Sequence, residues 1–396
     1  MQLRRFQVQG YKNFREPVVL EALDRINVIH GPNNVGKSNL LQSIALFFHL
    51  LTPPRDEEST KIPIAFGEAL SSEDLTAAGF APHRIFNLEA PQPIEMCAAL
   101  TTEPGELEAL GIQELIPSRE VEIGIRLERI LDRLEVRVTR FRFTDGRDLT
   151  KQSPSVEEHK FALRFALFLT RNFLVQTRSA GRRFALIGLD RRAYPVGHEA
   201  EGAEAYAGVV PEKLMLELYD ARDSIEPQIY RRWELFTQVM QKFGDVLGEG
   251  SFQALFDRAS GRANLAFQTP RARIPVDLLG SGVQQVVSIV ARLLMTQATL
   301  IGIEEPELNL RFDAQLRLRE ILAEVVSGSQ GPRQIFLSSH SPAFEHGEYF
   351  YGMRPTPSGP TVERLPGAAA VQFTQHALAG ELPSGGAAVG YVSPGR

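Results

Sequence analysis

A short stretch near the start of the chain has the residue types and spacing of a phosphate-binding loop. Residues 31–38 fit the pattern G-x-x-x-x-G-K-[ST]. Backbone N–H groups of such a loop, together with the positive end of the following helix, cradle phosphate oxygens. The lysine reaches the β- and γ-phosphates, and the serine hydroxyl ligates Mg²⁺. The predicted nucleotide contacts in this stretch and directly after it are Gly31, Asn33, Asn34, Val35, Gly36, Lys37, Ser38 and Asn39.

The residues on either side of this loop must position it. Residues 26–29 form an apolar run that we expect to be a buried strand. After the loop, apolar residues recur at helical spacing, which predicts a helix that begins at the lysine. A strand, a glycine-rich loop and a helix N-terminus are the context in which the pattern binds phosphate. We therefore predict that the chain binds a nucleoside triphosphate.

Two acids follow a second apolar run far along the chain. Glu304 and Glu305 end the run at residues 300–303. At the end of such a strand, one carboxylate can ligate the magnesium ion and the next can take a proton from the attacking water. We assign Glu304 to the metal, together with Ser38, and Glu305 to the base.

Two further segments carry groups that could contact a phosphate. Ser281 and Gly282 begin a long apolar helix, and Gln284 lies in its first turn. The start of this helix offers a phosphate the Ser281 hydroxyl, backbone N–H groups and the positive end of the helix dipole. His340 follows a third predicted strand at residues 334–339. Taken alone, the Ser-Gly pair is typical of a plain helix cap, and a lone histidine at a strand end is usually structural. The order of the motifs favours the functional interpretation.

This order and spacing resemble the ABC-class ATPase heads of the SMC, RecF and OLD (overcoming-lysogenization-defect) group. Ser281 lies 23 residues before Glu304, and His340 lies 35 residues after Glu305. The resemblance implies that Ser281 and Gly282 form the signature motif and that Glu304 and Glu305 are the Walker B acids. It also implies that His340 is the switch histidine, so the predicted catalytic residues are Lys37, Glu305 and His340.

The two halves of this motif set lie far apart in the sequence. About 240 residues separate Lys37 from Ser281, and an insertion that splits the head is typical of the same group. Residues 10–15 and 304–307 resemble the OLD/RecF-like branch more than the long coiled-coil SMC proteins. Relatives more often carry Asp at the place of Glu304, whose longer side chain we still expect to reach the metal.

The resemblance implies an α/β fold, an ABC-type ATPase head (P-loop NTPase) with a β-rich insertion and a short helical arm. Alternation of apolar and polar residues at 94–101 and 120–143 predicts antiparallel strands, and helical spacing predicts helices at 156–177 and 212–247. The expected domains are 1–50 and 250–345 for the two halves of the head, 51–155 for the β-rich insertion completing the head, 156–249 for the helical arm and basic segment, and 346–396 for a C-terminal strand pair and flexible tail.

The composition favours a soluble protein of a reducing compartment. The chain of 396 residues is 43% hydrophobic, enough for a large core, and its single cysteine, Cys97, excludes an intramolecular disulfide framework. Residues 1–7 lack the apolar core of a signal peptide, and the longest apolar cluster, at 40–51, is too short to span a bilayer. We therefore expect a cytoplasmic location and no membrane contact.

The net charge of −5 hides a basic run between Lys160 and Arg192. Within it, Asp190 is the one acid among eight basic residues. One interpretation is a contact surface for the phosphates of a nucleic acid, DNA or RNA. The other is a set of solvated arginines, or of arginines that pair with the acidic residues at 199–226.

Together these features predict an ATPase that uses ATP and Mg²⁺ and works as a homodimer or higher homo-oligomer through its ATP-bound heads. Lys37 and Glu305 of one head and Ser281 of the other would enclose each nucleotide. The resemblance implies a role in prokaryotic anti-phage defence, in which head closure gates a separate effector protein. Many OLD-type proteins carry a C-terminal TOPRIM nuclease, which we do not expect in the residues after His340. The alternatives are a RecF-like DNA-binding repair ATPase and a scaffold that binds nucleotide without hydrolysing it.

Overall fold

The computed structural model covers most of the segments that carry the motifs. The predicted helix at 156–177, the tail beyond residue 373 and the basic run except Arg183 lie outside the described residues. The structure describes residues 1–51, 75–76, 80–87, 89, 91–102, 120–130, 133–144, 146, 148, 183–188, 211–258, 261–296, 298–328, 331–344, 347–369 and 373.

Fourteen strands lie in the described part of the chain, and they form three sheets. The strands predicted at 94–101 and 120–143 are confirmed, and the second range contains two antiparallel strands. The strands are β1 (Gln2–Gln9), β2 (Val18–Leu20), β3 (Ile26–His30), β4 (Ile94–Thr101), β5 (Glu120–Ile130), β6 (Arg133–Phe143), β7 (Phe184–Ile187), β8 (Ser251–Asp257), β9 (Arg262–Gln268), β10 (Arg273–Pro275), β11 (Leu300–Glu304), β12 (Gln334–Ser339), β13 (Tyr349–Arg354) and β14 (Thr361–Pro366).

Helices form where apolar spacing predicts them after the phosphate-binding loop, within 212–247 and from Ser281, whereas the helix at Phe312–Ser327 was not predicted. Pro227 begins the third of them, where its missing N–H costs nothing because the first turn of a helix has no internal acceptor for that group. Among the described residues, no helix combines the length and the apolar character needed to cross a bilayer. The helices are α1 (Lys37–Leu50), α2 (Pro211–Asp223), α3 (Pro227–Gln241), α4 (Gly244–Leu247), α5 (Ser281–Met295) and α6 (Phe312–Ser327).

The six-stranded sheet forms the centre of the molecule, in the order β14-β13-β3-β12-β11-β7. All neighbouring pairs are parallel except β13 and β14. Parallel strands covered on both faces are continuously apolar, and β11 and β12 are buried along their whole length. Successive side chains point to opposite faces, so Phe336 packs in the cluster with α1, whereas Ile335 and Leu337 pack in the cluster on the other side.

The five-stranded antiparallel sheet, in the order β2-β1-β4-β5-β6, shares one hydrophobic cluster with α1. Within this cluster the rings of Phe6 and Phe47 meet edge to face, with centroids 5.8 Å apart. The side chain of Gln334 joins this sheet to the central one. Its Oε1 accepts the N–H of Leu3 at 2.8 Å, and its Nε2 donates to the carbonyl of Leu3 at 2.9 Å.

The predicted helical arm forms as the pair α2 and α3, which packs directly on the head. Leu218, Trp233 and Phe236 are buried in the same cluster as Val28 and Ile303 of the central sheet. The helices α2 and α3 also contact α5 and the three-stranded sheet β10-β9-β8. Because their apolar face is covered by the head, the two helices do not form a separate projecting unit.

Residues 184–187 were placed in the helical arm and basic segment, and the structure corrects this assignment. They form β7, which pairs with β11 at the edge of the central sheet. The neighbouring Arg183 is only 3% exposed and donates from Nη1 to Thr299 Oγ1 at 3.2 Å. It therefore does not belong to a basic surface. Four consecutive buried apolar residues are too short a signal to separate from the arginines around them.

Candidate active site

Three parallel strands deliver the predicted catalytic segments to one edge of the central sheet. Ser339 of β12 lies opposite His30 of β3, and Glu304 of β11 lies opposite Ser338 of β12. The carboxyl ends of the three strands therefore meet, which is where ligands bind in open α/β sheets. The loop that starts at Gly31, the acid Glu305 and the imidazole of His340 all follow directly from these ends.

The phosphate-binding loop takes the conformation that its glycines permit. Gly36 has φ +113°, a left-handed conformation that side chains disfavour. A Cβ built on it would lie 2.7 Å from Asn13 Nδ2, so a larger residue would push the Asn13 side chain away from the loop. Asn34 is also left-handed, with φ 62°, which asparagine tolerates better than most residues. α1 begins at the next position after Gly36, as the motif predicts.

Lys37 is buried within this loop. Its Nζ donates to the carbonyls of Gly31 and Pro32, both at 2.9 Å. Burial lowers the pKa of Lys37 below the usual lysine value, and the nearby carboxylates of Glu305 and Glu307 act in the opposite direction. The structure therefore brings the predicted phosphate-binding lysine and the predicted base close to each other.

The two acids differ in their surroundings. Glu304 ends β11 and is buried, whereas Glu305 is half-buried and has φ +42°. Its N–H donates to the carbonyl of Ser338 at 2.8 Å, which holds the strained backbone in place. The hydroxyl of Ser38 and the carboxylate of Glu304 are oxygen donors of the kind that Mg²⁺ prefers. The donor types therefore suit a magnesium ion, and its binding by Ser38 and Glu304 stays a prediction.

His340 is held by a carboxylate that the sequence analysis gave no role. Oε1 of the buried Glu307 accepts the hydroxyl of Ser339 at 2.9 Å and the backbone N–H of His340 at 2.7 Å. The same oxygen lies 3.0 Å from His340 Nδ1. The imidazole is 31% exposed, so the ring is anchored on one side and open on the other.

A pocket of about 680 Å³ adjoins the phosphate-binding loop. Asn13 connects the turn after β1 to the loop, because its Nδ2 donates to the carbonyl of Val35 at 3.0 Å and its Oδ1 accepts from Asn39 Nδ2 at 2.8 Å. The loop between β13 and β14 closes the opposite side with Thr356 and Gly359. The size and the position of this pocket suit the nucleoside part of a nucleotide.

The signature motif lies in a different place. Ser281 is exposed at the N-terminus of α5 and lines a second pocket, of about 590 Å³, whose lining residues are all different from those of the first. Gly282 allows a close approach, since a Cβ there would lie 2.9 Å from the carbonyl oxygen of Asn309. The amide of Gln284 donates to the carbonyls of Asp277 and Leu279 at 2.9 and 2.8 Å, so it holds the preceding turn, and its contact with a nucleotide stays a prediction.

Asn13 and Glu307 are the residues that sequence reasoning missed. Both lie in segments that carried the family resemblance, at 10–15 and 304–307. The available signal was therefore the type of residue in each segment, an amide and a third acid. Their roles depend on contacts with residues distant in the sequence, which the motifs do not reveal.

Comparisons with known proteins agree with this geometry. The structure of an SMC head bound to the C-terminal winged helix domain of ScpA superposes with a TM-score of 0.54 over 92% of this chain and 98% of that chain, at 14% identity. An SMC head domain with an extended coiled coil, bound to the C-terminal domain of ScpA from Pyrococcus furiosus, gives 0.52 over 94% and 98%, at 13% identity. At this identity the likeness establishes the fold. No curated protein matches the sequence significantly.

The family comparison covers the whole motif set. A family model described as "AAA domain, putative AbiEii toxin, Type IV TA system" matches residues 26–344. The matched range runs from β3 to the residues just after His340, so it includes both the phosphate-binding loop and the strand-end acids. The chain therefore belongs to this AAA domain family, and its fold is the SMC-like, ABC-class ATPase head.

Proposed function

We propose that the chain hydrolyses ATP at a site shared by two copies of its head. The observation that carries this proposal is the separation of the site residues. Lys37, Glu305 and His340 are delivered to one sheet edge, whereas Ser281 is exposed beside a pocket of its own. A complete site that includes the signature motif therefore needs a second copy of the chain.

Nucleotide binding would use the groups around the phosphate-binding loop. The backbone of the loop and Lys37 contact the phosphates, and the adjoining pocket beside Asn13 holds the nucleoside. Mg²⁺, held by Ser38 and Glu304, would neutralise charge on the β- and γ-phosphates. The Lys37 ammonium, which now contacts two loop carbonyls, would exchange these for phosphate oxygens.

Hydrolysis would use Glu305 and His340. The Glu305 carboxylate accepts a proton from water while the water oxygen forms a bond to the γ-phosphorus, and the bond to the ADP oxygen breaks. The His340 imidazole lies on the neighbouring strand end, where its open side can donate to the γ-phosphate. Ser281 of the second head would contribute its hydroxyl and the N-terminus of α5 to the same phosphate.

The surface around the signature motif supports a contact with another head. Leu278 is 72% exposed and Phe312 is 56% exposed, and both flank the segments that line the Ser281 pocket. Exposed apolar side chains beside a functional motif are typical of an interaction surface. Closure on ATP would cover them, and hydrolysis would release them.

We further propose that this cycle gates a separate effector in prokaryotic defence or toxin regulation. The family description, which names a toxin and a type IV toxin–antitoxin system, supports this setting. The two similar SMC heads are each bound to a domain of ScpA, so heads of this fold can dock a partner protein. Among the described residues, the recognisable catalytic groups all belong to the nucleotide site.

A concentration series tests the shared site. ATP turnover per chain should rise with protein concentration, and light scattering should detect a dimer with Mg²⁺ and ATP that disappears with ADP. Turnover per chain that is independent of concentration, from a species that stays monomeric with ATP, would contradict the proposal. Tight ATP binding without turnover would favour the scaffold alternative, and salt-sensitive DNA binding that ATP strengthens would favour the RecF-like one.

The effector proposal needs a separate experiment. The product of the adjacent gene should be expressed with this chain, and the complex should be measured with ATP and with ADP. A stoichiometric complex that forms or dissociates with the nucleotide state supports gating. Identical binding in both states would contradict it.

A further inference from the structure

The carboxylate of Glu307 connects two segments that the chain brings together from different strands. Glu307 lies just beyond β11, and the residues that it contacts end and follow β12. One oxygen receives the Ser339 hydroxyl, the His340 N–H and the close approach of His340 Nδ1. Such convergence on one buried oxygen fixes the position of the ring and of the backbone that carries it.

This contact also selects the part of the imidazole that is free for a ligand. The two ring nitrogens face different surroundings, and the side of the ring that carries Nδ1 is buried against Glu307. Because Nδ1 of His340 lies 3.0 Å from the Glu307 carboxylate, Nε2 is the nitrogen left for the open side of the ring. A carboxylate in this place orients the ring.

A second link lies beside the first one. Gln315 of α6 donates from Nε2 to the carbonyl of Leu310 at 2.8 Å, and its Oε1 accepts the hydroxyl of Ser341 at 2.6 Å. The segment after Glu305 and the segment after β12 are therefore joined at two points. Asn309 of the first segment also approaches Gly282 closely, so this segment contacts the start of α5 as well.

Glu307 has one competing role, through Lys37. Its charge acts on the Lys37 ammonium, although Glu305 acts more strongly. A role through Lys37 would alter ATP affinity, because the lysine contacts the phosphates of the bound nucleotide. A role through His340 would alter the rate of the chemical step. The two roles can be separated by measuring KM and kcat.

We propose that Glu307 is the positioning residue of His340, which it holds in the orientation that the hydrolytic step requires. Ser339 shares the same carboxylate oxygen, and Gln315 steadies the adjoining loop. This inference rests on the proposed hydrolysis of ATP. It adds a third acid to the Walker B segment, with a role distinct from those of the metal ligand Glu304 and the base Glu305.

The experiment compares Glu307→Ala, Glu307→Gln, His340→Ala and the double variant Glu307→Ala/His340→Ala in the full chain. Glu307→Ala should lower kcat about 10- to 100-fold, with KM for ATP within about twofold of the parent. Glu307→Gln keeps an acceptor oxygen and should retain an intermediate rate. The double variant should be no more than about twofold slower than His340→Ala, since two residues that act as a unit are not additive.

The contrary outcomes are equally distinct. A large change in KM with kcat retained would assign Glu307 to Lys37 and overturn the proposal. The proposal would also be overturned if Glu307→Ala lowered kcat in the His340→Ala variant by the same factor as in the unsubstituted protein. If Glu307→Ala does not fold, the isosteric Glu307→Gln gives the same comparison with His340→Ala, and a kcat equal to that of the parent overturns the proposal.

The matched control is Glu320→Gln, which makes the same chemical change at an exposed position of α6 and should leave kcat and KM unchanged. Absence of turnover in the unsubstituted protein would overturn the proposed function and this inference together. Normal turnover that is insensitive to Glu307→Ala would overturn the inference alone.

Discussion

The Lys37 side and the Ser281 side of the molecule are built differently. Lys37 is buried at the start of α1, and the acids beside it, Glu305 and Glu307, follow the end of β11 in the central sheet. Ser281 lies exposed at a helix N-terminus. The Lys37 side is held in place by residues of its own chain. The Ser281 side has exposed apolar side chains beside it.

This difference indicates which half of the site a single chain can complete. The loop, the lysine and the acids are packed in place, so one head should bind a nucleotide by itself. The signature half presents its groups outward, and a second surface must cover them before they contribute. Binding and turnover should therefore respond differently to substitutions on the two sides.

The largest effect is expected from Lys37→Ala. Loss of a charge-assisted contact worth about 3 kcal/mol should weaken ATP binding about a hundredfold and remove turnover with it. Titration with labelled ATP measures the affinity. Lys242→Ala, which removes an exposed lysine paired with Glu324, is the control and should bind ATP normally. Unchanged affinity in the Lys37 variant would remove the phosphate-binding assignment.

Glu305→Gln should separate binding from turnover on the Lys37 side. The amide keeps the shape of the side chain but cannot accept the proton, so kcat should fall about 100- to 10,000-fold while ATP affinity stays within about twofold. The variant should accumulate as an ATP-bound dimer in light scattering. The exposed Glu348→Gln serves as the control. Hydrolysis at the parental rate would mean that another acid is the base.

Ser281→Arg should spare the Lys37 side and disable the other. A single head should bind ATP normally, and turnover should fall about a hundredfold because the bulky cation blocks closure. A mixture with Lys37→Ala chains should recover at most one working composite site per dimer. Ser327→Arg, at the exposed end of α6, controls for the added charge. Equal loss of ATP binding in Ser281→Arg and Lys37→Ala would contradict a shared site.

The smallest effect is expected from Leu278→Ser. Because Leu278 is exposed, the free energy of unfolding should change by less than about 0.5 kcal/mol. The ATP-dependent dimer should be about tenfold weaker, since closure would bury this side chain. Ile225→Ser, at an exposed turn between α2 and α3, should change neither quantity. A large loss of stability would show that Leu278 supports the fold of its own chain.

The sequence was sufficient for the features that depend on local signals. The phosphate-binding loop, the strand before it and the helix after it are contiguous, so one pattern predicts all three. The apolar runs that end in Glu304 and before His340 also predict buried strands, and both strands are present. The fold class follows from these elements and is confirmed by the solved SMC heads.

The missed features depend on residues that meet only in the folded chain. The role of Glu307 requires β11 and β12 to lie side by side, and the burial of Arg183 requires β7 to pair with β11. Asn13 contacts the loop more than twenty residues later. No periodicity or composition signal reports such contacts. The roles of the nucleotide-site residues themselves remain predictions.

The position of β3 has a consequence for the order in which the protein is made. The strand that leads into the phosphate-binding loop is flanked by β12 and β13, which the ribosome synthesises much later. The Gln334 side chain that fastens β1 to the sheet lies 331 positions from its partner Leu3. At about 5–20 residues per second, this delay is on the order of half a minute. We therefore expect that β3 cannot take its place in the central sheet, and that the nucleotide site cannot form, before β12 and β13 have left the ribosome.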